Sequence, residues 1–381
     1  MLGLWLLASC GPAKQPEQRE SPPVENAEDL DADRKRECIE TLTAGAEPQL
    51  HTLLRSLCAE WVEQRVPGLA FALVRPGEPP IHAELGVRCN GEPAKIEAST
   101  AFRIGSVSKP ITAALALGLI AEGKLSLTSE ASQVPGFVTQ DGLPPPQLGA
   151  LLGHRSGLGE IEPATLVELE GAWLAALARA RAAGAPGTYH YSNAGYSLIG
   201  ALLEHASGQA YAQLVAGRIS EPLALASLTA DPMLENTACG HLVEDGERRP
   251  IPIREDLDFM PGDPRWMSPA GGVLSSATDL ARFALAIGSD ALPGSAAMLE
   301  RGEPLPAEHR RAAHRDERYS YGLRSWQLDA DTRMYGHTGN NMGFVAELRL
   351  VPNVGAIVIL ANCGVELPAS LAAAEALLAK R

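Results

Sequence analysis

The sequence predicts an α+β protein: an antiparallel sheet built from both chain ends, flanked by helices, with an all-helical lobe inserted between its halves. Three observations carry this expectation. Residues 69–74 and 81–87 are short apolar runs bounded by Pro and Gly, as strands are. Residues 321–328, 344–350 and 356–360 repeat that texture near the other end. Between them lies a long Ala- and Leu-rich stretch whose apolar residues recur at helical spacing. With 381 residues, 45% hydrophobic and 20% charged, the chain has ample core material, and one two-lobed unit fits as well as two domains.

In order, residues 47–65 place Leu50, Leu53, Leu54, Leu57, Trp61 and Val62 on one helical face, and Val66-Pro67-Gly68 stops that helix. The first two strands follow, joined by a turn at Arg75-Pro76-Gly77. A helix opens near Ser106, runs through the apolar residues 111–120 and ends at Glu122-Gly123-Lys124. After the loop around Pro144-Pro145-Pro146 come a short helix at 147–152, a longer one at 165–182 stopped by Gly184-Ala185-Pro186-Gly187, and helical patterns at 196–204 and 211–218. Residues 229–267 are rich in Pro, Asp and Glu and read as loops over a site. Ser276 or Thr278 caps the next helix. The late strands turn at Pro352-Asn353, and a helix at 371–380 closes the chain.

Residues 1–10 form a short apolar stretch ending Leu7-Ala8-Ser9-Cys10, which resembles a bacterial lipoprotein signal with Cys10 as the lipidated thiol, although its n-region lacks Lys and Arg. Residues 11–45, with four prolines and many charges before about residue 35, read as a disordered tether. The folded domain is then 46–381, with its helical lobe at about 110–315. This predicts a lipid-anchored protein of the cell envelope, the alternative being a cytoplasmic one. Five further cysteines stand at 38, 58, 89, 239 and 363. Cys38 and Cys58 flank a predicted helix and a bridge between them is possible, but buried small hydrophobes fit equally well. The formal charge of -14 argues against a nucleic-acid partner. The oligomeric state is not readable.

Six lysines occur, and only Lys109 has a serine three residues before it. On a helix, i and i+3 share a face, so Ser106 and Lys109 can touch, and a held lysine can take a serine's proton. Two other stations stand out: Tyr191-Ser192-Asn193, and His337-Thr338-Gly339 beside a predicted strand. The order and spacing of these three motifs resemble the serine β-lactamase and D-alanyl-D-alanine carboxypeptidase family, in its class C-like, DD-peptidase and esterase branch. Leu151-Leu152-Gly153-His154-Arg155-Ser156-Gly157-Leu158 and Ala270-Gly271-Gly272 also look like that family, and the likeness spans about 45–380.

The resemblance implies a β-lactamase/transpeptidase-like fold and a serine hydrolase. Ser106 attacks a carbonyl to form an acyl-enzyme, while Lys109 and Tyr191 hold and return its proton. Asn193 hydrogen-bonds the substrate's amide or the Lys109 ammonium, His337, Thr338 and Gly339 bind substrate, and the backbone N–H groups of Ser106 and Asn340 form the oxyanion hole. No metal or organic cofactor is required. A phenolate at Tyr191, which titrates near ~10 when free, needs the Lys109 charge nearby. His154 reads as structural. Histidine at 337, where β-lactamases of the family usually carry lysine, favours an esterase or D-amino-acid peptidase over a β-lactamase. The competing class is a catalytically inactive penicillin-binding-like protein.

Overall fold

Strand β1 (Gly68–Val74) is buried at every position because both faces of the sheet are covered. Leu69, Phe71 and Leu73 point into one core and Ala70, Ala72 and Val74 into another, the two-residue alternation of a strand. The computed structural model describes residues 27–140, 143–232, 234–244, 247–251, 264–289, 291–300 and 302–379. Eleven more strands follow among them: β2 (Ile81–Gly86), β3 (Phe102–Arg103), β4 (Gly240–Glu244), β5 (Glu247–Ile251), β6 (Leu274–Ser275), β7 (Glu303–Pro304), β8 (Arg315–Tyr319), β9 (Arg324–Gln327), β10 (Arg333–Asn341), β11 (Phe344–Val351) and β12 (Gly355–Ala361). The main sheet has the order β2-β1-β12-β11-β10-β9-β8-β7 and is antiparallel throughout. Both chain ends supply it, as expected.

One face of the sheet is covered by the helices His51–Glu63 and Pro368–Ala379 around Leu53, Leu57, Phe71 and Ile359. The buried Glu60 carboxylate ties these helices together by accepting from the N–H groups of Ala369 (2.8 Å) and Ser370 (3.1 Å), where the C-terminal helix begins. The other face packs on Ala277–Gly288 and on the helical lobe, centred on Ser108–Ala121 and Asn193–Ser207. Ser108–Ala121 is buried on nearly all sides, which explains its uninterrupted apolar run.

Several expectations need correction. Of the expected tether at 11–45, residues 11–26 lie outside the described residues, and the described part is a helix from Ala27 to Thr43. It lies against His51–Glu63, with Cys38 bonded to Cys58 and Lys35 paired to Glu63 at 2.6 Å. Its charged composition concealed a helix held by a covalent staple rather than by apolar area. The lipoprotein signal with Cys10 lies outside the described residues. The helix expected at 165–182 is two, Pro163–Glu168 and Trp173–Arg179, separated where Glu170 and Gly171 take left-handed backbone (φ 51° and 83°). The lobe is not all-helical, since residues 229–267 contain the hairpin β4–β5; residues 252–263 lie outside the description. The strand expected at 321–328 is confined to β9, and β10 was missed.

A second disulfide joins Cys89 to Cys239, 150 residues apart, and Cys363 is a buried free thiol. Closing so long a loop restricts the unfolded chain by about 4–5 kcal/mol in the chain-entropy treatment. Alkylation of denatured, unreduced protein is therefore expected to modify Cys363 and to spare Cys38, Cys58, Cys89 and Cys239 until reductant is added. Peptide mass mapping reads this directly, and label on any of those four without reductant contradicts it.

Candidate active site

Ser106 lies in the 3-10 turn Gly105–Val107, which runs straight into the Ser108–Ala121 helix. In a 3-10 turn, side chains three apart eclipse, so Lys109 stands directly over Ser106, and its Nζ is 3.1 Å from Oγ. Lys109 has no exposed surface. Its Nζ also donates to Asn193 Oδ1 (2.8 Å) and to the carbonyl of Ala270 (2.7 Å). These two partners can only accept, so they take two N–H bonds. The third direction on nitrogen faces Ser106. In the neutral amine that direction carries the lone pair. Burial holds Lys109 down to about 7, against the opposing pull of the Glu160 charge.

Tyr191 and Asn193 are set by the start of the Asn193–Ser207 helix. Ser192 caps it, accepting from Gly195 N at 2.9 Å, and Glu160 accepts from the N–H groups of Asn193 (2.5 Å) and Ala194 (3.4 Å). The face of the Tyr191 ring lies 4.7 Å from Lys109 Nζ. Burial pushes the Tyr191 phenol far above its ordinary range, with its hydrogen bond to Ser106 acting in the opposite direction. The expected order of titration is thus reversed. A lysine discharged by burial cannot support a phenolate, so the amine is the group poised near neutrality and the phenol keeps its proton.

The third motif lies within β10, past Gly336, where the pairing of β9 with β10 stops. Its edge there runs along the Ser106 turn. A Cβ on Gly339 would lie 1.9 Å from the Ile104 carbonyl and 3.2 Å from Ser106 N; one on Gly105, at φ +51°, would lie 2.8 Å from Asn340 N. Glycine at both places lets the two backbones touch, so the turn carrying Ser106 lies directly against the Gly339-Asn340 segment.

His337 and Thr338 turn toward other partners. Ser192 N–H donates to His154 Nδ1 (3.1 Å), leaving His154 Nε2–H to donate to Tyr319 Oη (3.1 Å); Tyr319 then donates to His337 Nε2 (3.3 Å), and His337 Nδ1–H to the Thr338 carbonyl (2.8 Å). Hydrogen bonds assign every proton in this chain, and all its groups are neutral. Burial, with Lys109 and Arg311 adding to it, holds His337 down to about 3. His154 is likewise held well below its usual value by burial, in keeping with a structural part. The Thr338 hydroxyl donates to Glu347 (2.8 Å) and accepts from Arg311.

The structure therefore gathers Ser106, Lys109, Tyr191 and Asn193, sets Gly339 and Asn340 against them, and engages His337 and Thr338 elsewhere. Glu160, Arg311, Tyr319 and the Ala270 carbonyl were not anticipated from sequence. Only Ala270 carried a signal, in the Ala-Gly-Gly run beside it. Among the described residues, no cluster of three or more His, Cys, Asp or Glu side chains is arranged to hold a metal ion.

The profile of the family described as Beta-lactamase matches residues 37–380. Penicillin-binding protein 4 of Amycolatopsis lactamdurans is 29% identical over 324 residues, covering 80% of this chain and 82% of that protein. Esterase EstB of Burkholderia gladioli is 28% identical over 225 residues, 51% of this chain and 55% of that protein. The solved structure of D-alanine carboxypeptidase AmpC from Burkholderia cenocepacia superposes with a TM-score of 0.69 at 23% identity, over 87% of this chain and 99% of that one. With nearly the whole folded part of the chain matched, and the fold shared, this protein is a serine hydrolase belonging to the beta-lactamase family.

Proposed function

We propose that the chain cleaves esters or D-amino-acid amides through an acyl-enzyme on Ser106. The observation that carries this reading is the trapped Lys109 amine, with two carbonyl acceptors fixing its hydrogens and its third direction facing Ser106 Oγ. Neutral Lys109 takes the Ser106 proton as Oγ attacks the substrate carbonyl. The oxyanion is held by the Ser106 and Asn340 N–H groups, helped by the positive end of the Ser108–Ala121 helix. Tyr191 passes a proton to the departing alcohol or amine and is recharged from the Lys109 ammonium. Water then attacks the ester on Ser106, yields its proton to the same pair, and releases the acid with Ser106 restored. The family likeness supports this assignment of roles.

Within that chemistry, a substrate ending in a carboxylate fits best. The planar Arg311 guanidinium touches the Thr338 hydroxyl and suits a carboxylate. The open edge of β10 suits an extended peptide. His337, neutral and with both nitrogens engaged, offers no charge to the carboxylate of a β-lactam. The names of the relatives, which include an esterase and a D-alanine carboxypeptidase, are consistent with either leaving group. Two disulfides suit an oxidising compartment, which supports export; Cys10 is the proposed lipid anchor.

Labelling with a fluorescent fluorophosphonate or penicillin is expected to depend on Ser106 and to vanish in Ser106→Ala. Its rate is expected to rise with pH through about 7, because only the unprotonated amine can accept the proton. At pH 5 it is expected to fall to about one hundredth of the plateau. No Ser106-dependent label with either probe, together with no p-nitrophenyl ester hydrolysis, would sink the enzyme reading. A rate independent of pH down to 5 would remove Lys109 as the base.

Arg311→Met is expected to raise KM for D-Ala-D-Ala peptides roughly 10- to 100-fold while leaving p-nitrophenyl acetate turnover within about twofold. Equal losses on both substrates would count against the carboxylate role. In cells, Cys10→Ala is expected to move the protein from the membrane fraction to the soluble one and to abolish palmitate incorporation; unchanged fractionation contradicts the anchor.

A further inference from the structure

We infer that Glu160 is a positioning residue for the nucleophile pair, its carboxylate fixing the backbone of Asn193 while setting the electric field at the Lys109 amine. Its catalytic meaning rests on the function proposed above. The residue is exposed and lies just beyond the Gly157-Leu158 turn, away from all three motifs in sequence. Its two oxygens accept from the first two N–H groups of the fifteen-residue helix Asn193–Ser207, and Ser192 satisfies a third. Asn193, so fixed, holds Lys109 through Oδ1. A carboxylate at this end of a helix is also favoured by the helix dipole.

The field argument follows from what else faces Lys109. The rings of Tyr191 and Tyr196 lie 4.7 and 5.6 Å from Nζ, and burial keeps both phenols protonated. His154, beneath the Tyr-x-Asn turn, and His337, from β10, are neutral. Ser106 presents a hydroxyl, and the segment at Ala270 a carbonyl. Among the described residues, Glu160 is the formal charge that opposes the burial of the ammonium. A carboxylate one residue removed from the amine can therefore tune it without touching substrate, which is how a supporting layer sets the basicity of a catalytic group.

The two contributions separate by substitution. Glu160→Gln keeps an acceptor for Asn193 N–H and removes the charge; Glu160→Ala removes both. With the charge gone the ammonium is less stabilised, so the amine form persists to lower pH. Six lysines in the chain make a spectrum of [ε-13C]lysine-labelled protein simple enough to follow Lys109, whose resonance is assigned by its loss in Lys109→Arg.

The Lys109 midpoint is expected to fall by about 0.5–1 unit in Glu160→Gln. The acid limb of Ser106 labelling is expected to move with it, giving about three- to tenfold faster labelling below the midpoint, relative to the variant's own plateau. The plateau itself is expected to survive in Gln and to drop at least about tenfold in Ala. An unchanged Lys109 midpoint in Glu160→Gln overturns the field role, and a wild-type plateau in Glu160→Ala overturns the positioning role. If wild-type protein takes no label at Ser106, the hydrolase reading is what fails, and the lysine titration still decides the field role of Glu160.

Discussion

The cleft is organised by a primary amine placed where water does not reach it. Moving Lys109 from its ordinary value of 10.5 to about 7 disfavours its charged form by about 5 kcal/mol. Two carbonyl acceptors and Glu160 keep the burial tolerable, and each comes from a different part of the lobe. The folded amine is neutral above about 7, whereas the unfolded one is charged up to about 10. Unfolding therefore takes up a proton in that window, and stability falls as pH drops across it. Below the window the full cost is present. A structure that retains such a group at neutral pH is giving up stability for reactivity.

Across the cleft the coupling has the opposite character. The run from Ser192 through His154, Tyr319 and His337 to Thr338 joins the helical lobe to the sheet by neutral hydrogen bonds alone. Its groups are held from ionising by burial, so their bonds persist through the pH range in which Lys109 changes state. One part of the site titrates while the frame that aligns its motifs does not. The histidine of the third motif belongs to that frame, and this gives a physical reason why lysine is dispensable at the position.

Much of this was legible in the residues. Apolar runs such as 69–74 and 111–120 announce themselves because burial on both sides demands it; Ser106 and Lys109 met as their spacing implied, and Tyr191 and Asn193 joined them as the family resemblance implied. β10 was not legible. Its sequence, Arg333 to Asn341, holds two glycines and five polar or basic residues (Arg333, His337, Thr338, Asn340 and Asn341) because one edge must approach the Ser106 turn, so site geometry overrode strand propensity. β8 escaped notice for a related reason: its Arg315, Asp316, Glu317 and Arg318 look like a loop until Glu317 is seen buried against Arg324 at 2.9 Å. The partners of Thr338 come from residues 9 and 27 positions away, and pattern along the chain holds no information about such meetings.

The staple between Cys38 and Cys58 has a mechanical consequence. The Ala27–Thr43 helix is clamped to a helix packed on the side of the sheet opposite the Ser106 lobe. Tension drawn on the chain ahead of Ala27 meets this covalent link before it reaches any strand of the sheet, and the load path ends in the rear layer. Drag on the body would be borne there, and the cleft, on the far side of eight hydrogen-bonded strands, would keep its dimensions.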